Sequence, residues 1–132
     1  MDEQRLVGCF ASPEALDSLR APEGTTVCRV APDELMLIGG VVSVAASSLP
    51  LEDDAGAVVL DVTDGWSVHE LIGEAARAVF SRLSALHLPR EGFVQGEVAR
   101  VPARVIAGPS SVRILVPAMY GSYLSERIEE AL

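Results

Sequence analysis

Apolar and polar positions change period several times along this chain. Residues 5–10, Arg-Leu-Val-Gly-Cys-Phe, form a short apolar run that predicts a first strand. Ser12-Pro13-Glu14 follows as a helix start, with serine at the N-cap, proline at the first helical position and an acid in the first turn. That helix is expected to end near Arg20. Residues 25–30 and 35–39 are β-rich runs joined by Ala31-Pro32-Asp33-Glu34, which predicts a hairpin. Residues 41–49 are small and apolar and fit either a helix packed closely against the sheet, the preferred reading, or further strand; residues 50–56 form an acidic loop. Strands are predicted at 57–62 and 66–72 around the bend Asp61-Val62-Thr63-Asp64-Gly65. Gly73 breaks the second of these. Ala76, Val79, Phe80 and Leu83 then recur at i, i+3, i+4 and i+7, the spacing of a helix that covers a sheet.

A second hairpin is expected from residues 97–107 and 112–116 around Gly108-Pro109-Ser110-Ser111. A final helix over 118–131 follows, with Tyr120, Tyr123, Leu124, Ile128 and Ala131 on its buried stripe. "VCRVAPDELMLIGG" and "ARVIAGPSSVRILVPA" both set a polar turn between apolar runs before a helix. The chain thus reads as two βαββα pattern repeats, about 5–56 and 57–132, within one domain, 1–132. The expected fold class is α+β, a ferredoxin-like sandwich whose mostly antiparallel sheet carries helices on one face.

Composition narrows the chemistry. Hydrophobic residues are 49% of 132 and charged residues 22%, enough for a core without disulfide or metal staples. The formal charge of −9 opposes phosphate backbones and anionic lipid, so neither nucleic acid nor membrane is an expected partner. All ten cations are arginine, and lysine and asparagine are absent. A lysine Schiff base and a P-loop lysine are therefore excluded. Cys9 and Cys28 stand far apart, with only His69 and His87 besides, which argues against a zinc centre; both read as reduced core thiols. The N-terminal Met-Asp-Glu-Gln lacks the basic start of a signal peptide, and residues 35–51 are too interrupted to span a bilayer, so a cytoplasmic location is expected.

Candidate chemistry is sparse. Asp61 and Asp64 with Thr63 could serve acid–base work, but an Asx-type corner explains them as well. His69 with Asp61 or Asp64 and a serine lacks any GxSxG elbow. Neither face of 66–72 is clean, because Glu70 interrupts the apolar side and Leu71 the polar one. Either a Glu70–arginine pair or coverage by another protein accounts for this. The candidate partner interface is Trp66, Val68 and Glu70, with Tyr120 and Tyr123 from the head of the last helix. No catalytic residue and no metal ligand is named, and no cofactor-binding residue is assigned.

Three segments, in order, carry a resemblance. "CRVAPDELMLIG" resembles the signature "LGPDEWLL", through Pro32, Asp33, Glu34 and Leu37, with Leu35 in place of tryptophan. "VVLDVTDGWSVHELIGEAA" resembles "DVSxRxxxLELSGPxA", through Asp61, Val62, Thr63, Glu70, Leu71, Gly73 and Ala76. The closing hairpin and helix resemble a "SFAxYLWxxLxxA" ending, through Tyr123, Leu124 and Ala131. Together these segments resemble the sarcosine oxidase gamma subunit family, itself similar to the folate-binding domain of the glycine-cleavage aminomethyltransferase. The chain departs from the pattern at Ile72-Gly73-Glu74, where the family has Ser-Gly-Pro, and at Gly65, where it has arginine. The resemblance implies a ferredoxin-like, noncatalytic accessory or assembly subunit of a heteromeric flavoenzyme in one-carbon and amine metabolism. FAD, FMN, NAD and tetrahydrofolate would then lie in larger flavoprotein subunits and none on this chain. The alternative is a free-standing folate or small-ligand-binding domain, self-associating as a homodimer. A third reading is an enzyme that uses the Asp61/Asp64 corner.

Overall fold

The computed structural model describes residues 5–21, 24–39 and 57–132. The helix expected at 41–49 and the loop at 50–56 lie outside the described residues. The chain divides into two compact units, Met1–Thr63 and Asp64–Leu132.

The first unit holds β1 (Arg5–Phe10), α1 (Pro13–Asp17), β2 (Thr26–Ala31), β3 (Glu34–Gly39) and β4 (Val58–Asp61). Its four strands pair antiparallel in the order β2-β3-β1-β4. The 57–62 segment, which the pattern put at the head of the second half, therefore closes the first sheet, Val7 facing Asp61 and Phe10 facing Val58. Ser12 caps α1 as expected, its Oγ accepting from the Ala15 N–H at 3.2 Å, but the helix stops at Asp17, short of Arg20. Leu16 packs with Val7, Cys9, Leu35 and Leu37 on one face of this sheet. Leu6, Met36 and Ile38, on the other face, are also buried. Unbroken apolar strands such as β1 and β3 are the pattern of strands enclosed on both sides. Arg29 fastens the hairpin to α1, donating to Asp17 Oδ1 at 2.9 Å and to the Pro32 carbonyl at 2.6 Å.

The second unit holds β5 (Trp66–Ile72), α2 (Ala76–Leu83), β6 (Gly92–Val98), β7 (Val101–Ala107), β8 (Ser111–Pro117) and α3 (Gly121–Ala131). One turn of 3₁₀ helix precedes β5 and another precedes α3. The order is β5-β8-β7-β6, again antiparallel throughout. Ala76, Val79 and Phe80 of α2 and Leu124 of α3 pack with Val105, Ile114 and Val116, so both helices cover one face. The fold class is α+β as expected, with antiparallel strands in two four-stranded sheets and helices packed on them.

One strand was not foreseen. The run expected as a single strand over 97–107 turns back on itself at Ala99-Arg100, so that Val98 faces Val101 and residues 92–98 form β6. Both turn residues have positive φ, 51° and 70°, the geometry of a two-residue hairpin that ordinarily recruits asparagine and glycine. Neither turn residue announces the bend. Gly96 also disguises the strand: a Cβ there would lie 2.5 Å from Leu86 Cδ2, so glycine admits that side chain.

Candidate functional site

The Asp61–Gly65 bend is built as a structural corner. Asp61 Oδ1 accepts from the Thr63 backbone N–H at 3.0 Å and from the Thr63 hydroxyl at 2.6 Å, an Asx turn. Thr63 Oγ1 in turn accepts from the Leu6 N–H at 2.9 Å, and the Val62 N–H donates to the Leu6 carbonyl at 2.8 Å. The corner therefore ties the end of β4 to the start of β1. The Thr63 hydroxyl and then the Thr63 backbone N–H hold the Asp61 carboxyl below its usual pKa against an opposing effect of burial, with the Arg5 guanidinium the least of the contributors. An ionised, hydrogen-bonded acceptor is a turn element and a poor general acid. Among the described residues, no group of three or more His, Cys, Asp or Glu side chains could hold a metal.

β5 is turned opposite to what its composition suggests. Leu71 lies in the core beneath the helices, which puts Ser67 and His69 on that same helix-covered side. Ser67 Oγ meets His69 Nε2 at 2.8 Å, and a Cβ on Gly121 would come within 2.7 Å of Ser67 Oγ, so α3 begins hard against this pair. Desolvation lowers the His69 pKa from its ordinary value, leaving a neutral imidazole beside a hydroxyl. Trp66, Val68, Glu70 and Ile72 line the opposite face. Arg104 stacks over Trp66 at 4.3 Å from the ring centroid, and Glu70 stands directly opposite Arg113 on β8. Val68 is 38% exposed and Ile72 76%, although Leu115, on the same face, is buried.

The five candidate interface residues do not form one surface. Trp66, Val68 and Glu70 share the outer face of β5. Tyr120 packs against the helix-side core. Tyr123 donates its hydroxyl to the Ala99 carbonyl at 2.8 Å, bracing the strained hairpin turn.

That brace borders a hollow that sequence patterns did not reveal. Arg82, Leu83, Ala99, Arg100, Tyr123, Arg127, Glu130 and Ala131 line a volume of about 490 Å³. Arg127 donates to Glu130 Oε1 at 2.7 Å, with its guanidinium carbon 5.2 Å from the Tyr123 ring centroid. Arg82 Nη1 donates to the Ala131 carbonyl. Arg100 makes no hydrogen bond or ion pair among the described residues, and it also borders a neighbouring hollow of about 410 Å³ beside Leu86 and Glu97. Arginines 82, 100 and 127 follow no common spacing, so no motif joins them in the sequence.

No protein-family model matches this sequence, and no curated protein matches it. The fold does have a counterpart. A chain of the heterotetrameric sarcosine oxidase from Corynebacterium sp. U-96, solved in complex with pyrrole 2-carboxylate, superimposes with a TM-score of 0.82. The match covers 99% of this chain and 80% of that one, at 20% identity. The two share a fold along nearly the whole length of the present sequence.

Proposed function

We infer that this chain is a small accessory subunit of a heteromeric, sarcosine-oxidase-type flavoenzyme, supporting assembly rather than carrying out chemistry. The observation that carries the reading is the fold match over 99% of the chain to one chain of a heterotetrameric sarcosine oxidase. Motif positions agree with a structural role. Pro32 and Asp33 form a turn whose carbonyls accept from Arg29 and from the Ala11 N–H. Asp61, Val62 and Thr63 form the corner described above. Gly73 takes φ 113° to leave β5, its N–H donating to the Ser110 carbonyl at 2.9 Å. The resembling positions thus hold bends and sheet ends.

In this reading the larger flavoprotein subunits bind the outer face of β5, at Val68 and Ile72 beside the Trp66–Arg104 stack. An apolar strand face turned away from its own helices suits burial by another chain. Flavins, NAD and tetrahydrofolate belong to the partners, in an enzyme of amine and one-carbon metabolism.

The test is co-expression of the tagged chain with the oxidase subunits of its own host, followed by an absorbance scan of the eluate. A yellow eluate with larger chains is expected, and Ile72→Asp should leave the chain folded but release them. A colourless eluate of this chain alone, from cells in which the other subunits are present and folded, would refute the assignment.

A further inference from the structure

We propose that the hollow bounded by Arg82, Arg100, Arg127 and Tyr123 binds a small multivalent oxyanion, a polycarboxylate or a diphosphate. Three of ten arginines converge on it in a chain of net charge −9, against one lining carboxylate, Glu130. Guanidinium groups are planar forks suited to carboxylate or phosphate oxygens. A volume of about 490 Å³ lies within the range of small-ligand sites and far exceeds what one chloride would fill.

Part of this charge has structural work. α2 and α3 both end at the hollow, where unpaired carbonyls disfavour anions, and Arg82 answers Ala131 there. Arg127 is partly neutralised by Glu130 at 2.7 Å and by Glu126 at 3.9 Å. Arg100 has no such duty, yet it occupies the more costly kind of backbone. Left-handed φ at Ala99 and Arg100 is unfavourable for residues with a Cβ, and Asn-Gly would make the same turn without that strain. Two bonds hold the turn: the Ala99 N–H donates to the Leu83 carbonyl at 2.7 Å, and Tyr123 Oη donates to the Ala99 carbonyl at 2.8 Å. Strained residues so braced gather at binding sites. What the strain secures is an arginine at the rim, its guanidinium unspent among the described residues.

The experiment titrates the full-length chain with citrate and, separately, pyrophosphate by calorimetry, at constant ionic strength set by sodium chloride. Saturable one-site binding of either probe is expected. Citrate alone would identify a carboxylate site, and pyrophosphate alone a phosphate site. Arg100→Gly should fold and melt at a higher temperature because the turn relaxes, while its affinity falls about ten- to a hundred-fold, the loss of one charge-assisted contact. Arg100→Lys should retain the charge and bind between the two. The proposal is overturned if neither probe gives saturable heat, or if Arg100→Gly binds as tightly as the unaltered chain.

Discussion

Replacing Thr63 by valine tests whether the acidic bend is a corner held by one hydroxyl. Valine keeps the β-branched shape and removes the oxygen that accepts from the Leu6 N–H at 2.9 Å. Leu6 is 1% exposed, so water cannot easily replace that acceptor. An unsatisfied buried donor costs about 1–3 kcal/mol, and we expect a loss of about 2 kcal/mol. For a chain of this size that is a fall in midpoint temperature of roughly 5–10 °C. Thermal and urea unfolding followed by far-UV circular dichroism read it directly, with an unchanged urea slope marking a true stability change. Asp64→Ala, at an exposed position, should stay within about 0.5 kcal/mol. Acid adds a second readout. Because the Asp61 pKa is depressed in the folded chain, its contribution is present above the unfolded value of 3.8 and lost as pH falls below it. Thr63 is the largest cause of that depression, so the gap between Thr63→Val and the unaltered chain should narrow on acidification through this range. A valine variant within 0.5 kcal/mol of the parent, or an Asp64→Ala variant equally damaged, would refute the hydroxyl-held corner.

Other expectations follow from packing and protonation. Gly96→Ala forces Leu86 away from three contacts of 2.5–2.9 Å and should destabilise the chain by about 1–3 kcal/mol, measured by urea unfolding. His69 has a lowered folded pKa, so below its unfolded value of 6.5 the unfolded state takes up the proton first. Stability should therefore decline as pH drops below 6.5, and His69→Gln should remove that component of the melting profile. Burial pushes the Cys9 thiol up to about 11 from 9.0, so in the native chain it should resist iodoacetamide at pH 8 and react only on unfolding; the stability that this proton confers is complete below pH 9 and declines as pH rises towards 11.

Legibility differed from element to element for physical reasons. β1, β3, α2 and the start of α1 were readable because apolar runs, helical spacing and a Ser-Pro cap are local signals. β4 was readable as a strand but not as a member of the first sheet, since pairing with β1 is a long-range choice. β6 escaped because its turn carries neither asparagine nor glycine, and because Gly96 makes room for Leu86. The mixed faces of β5 could be seen in the sequence, but not their sense. Ser67 faces the helices where α3 begins hard against it, and strand alternation carries His69 and Leu71 to the same side, leaving Val68 and Ile72 outward. Of the sites, the corner was legible through the Asx pattern. The arginine-lined hollow was not, for it draws on α2, a hairpin turn and α3 at positions that share no period.

The pairing of β1 with β4 also sets an order of events at the ribosome. β1 is synthesised well before its partner β4, and one edge of it stays open until residues 58–61 emerge from the exit tunnel. Through that interval a run containing Leu6, Val7 and Cys9 has at most β3 as a strand partner, and such an unpaired edge is a template for aggregation. Slowing translation just after the β4 residues have cleared the tunnel should favour soluble product, whereas a pause placed before they do should lower the yield without altering a single residue of the finished chain.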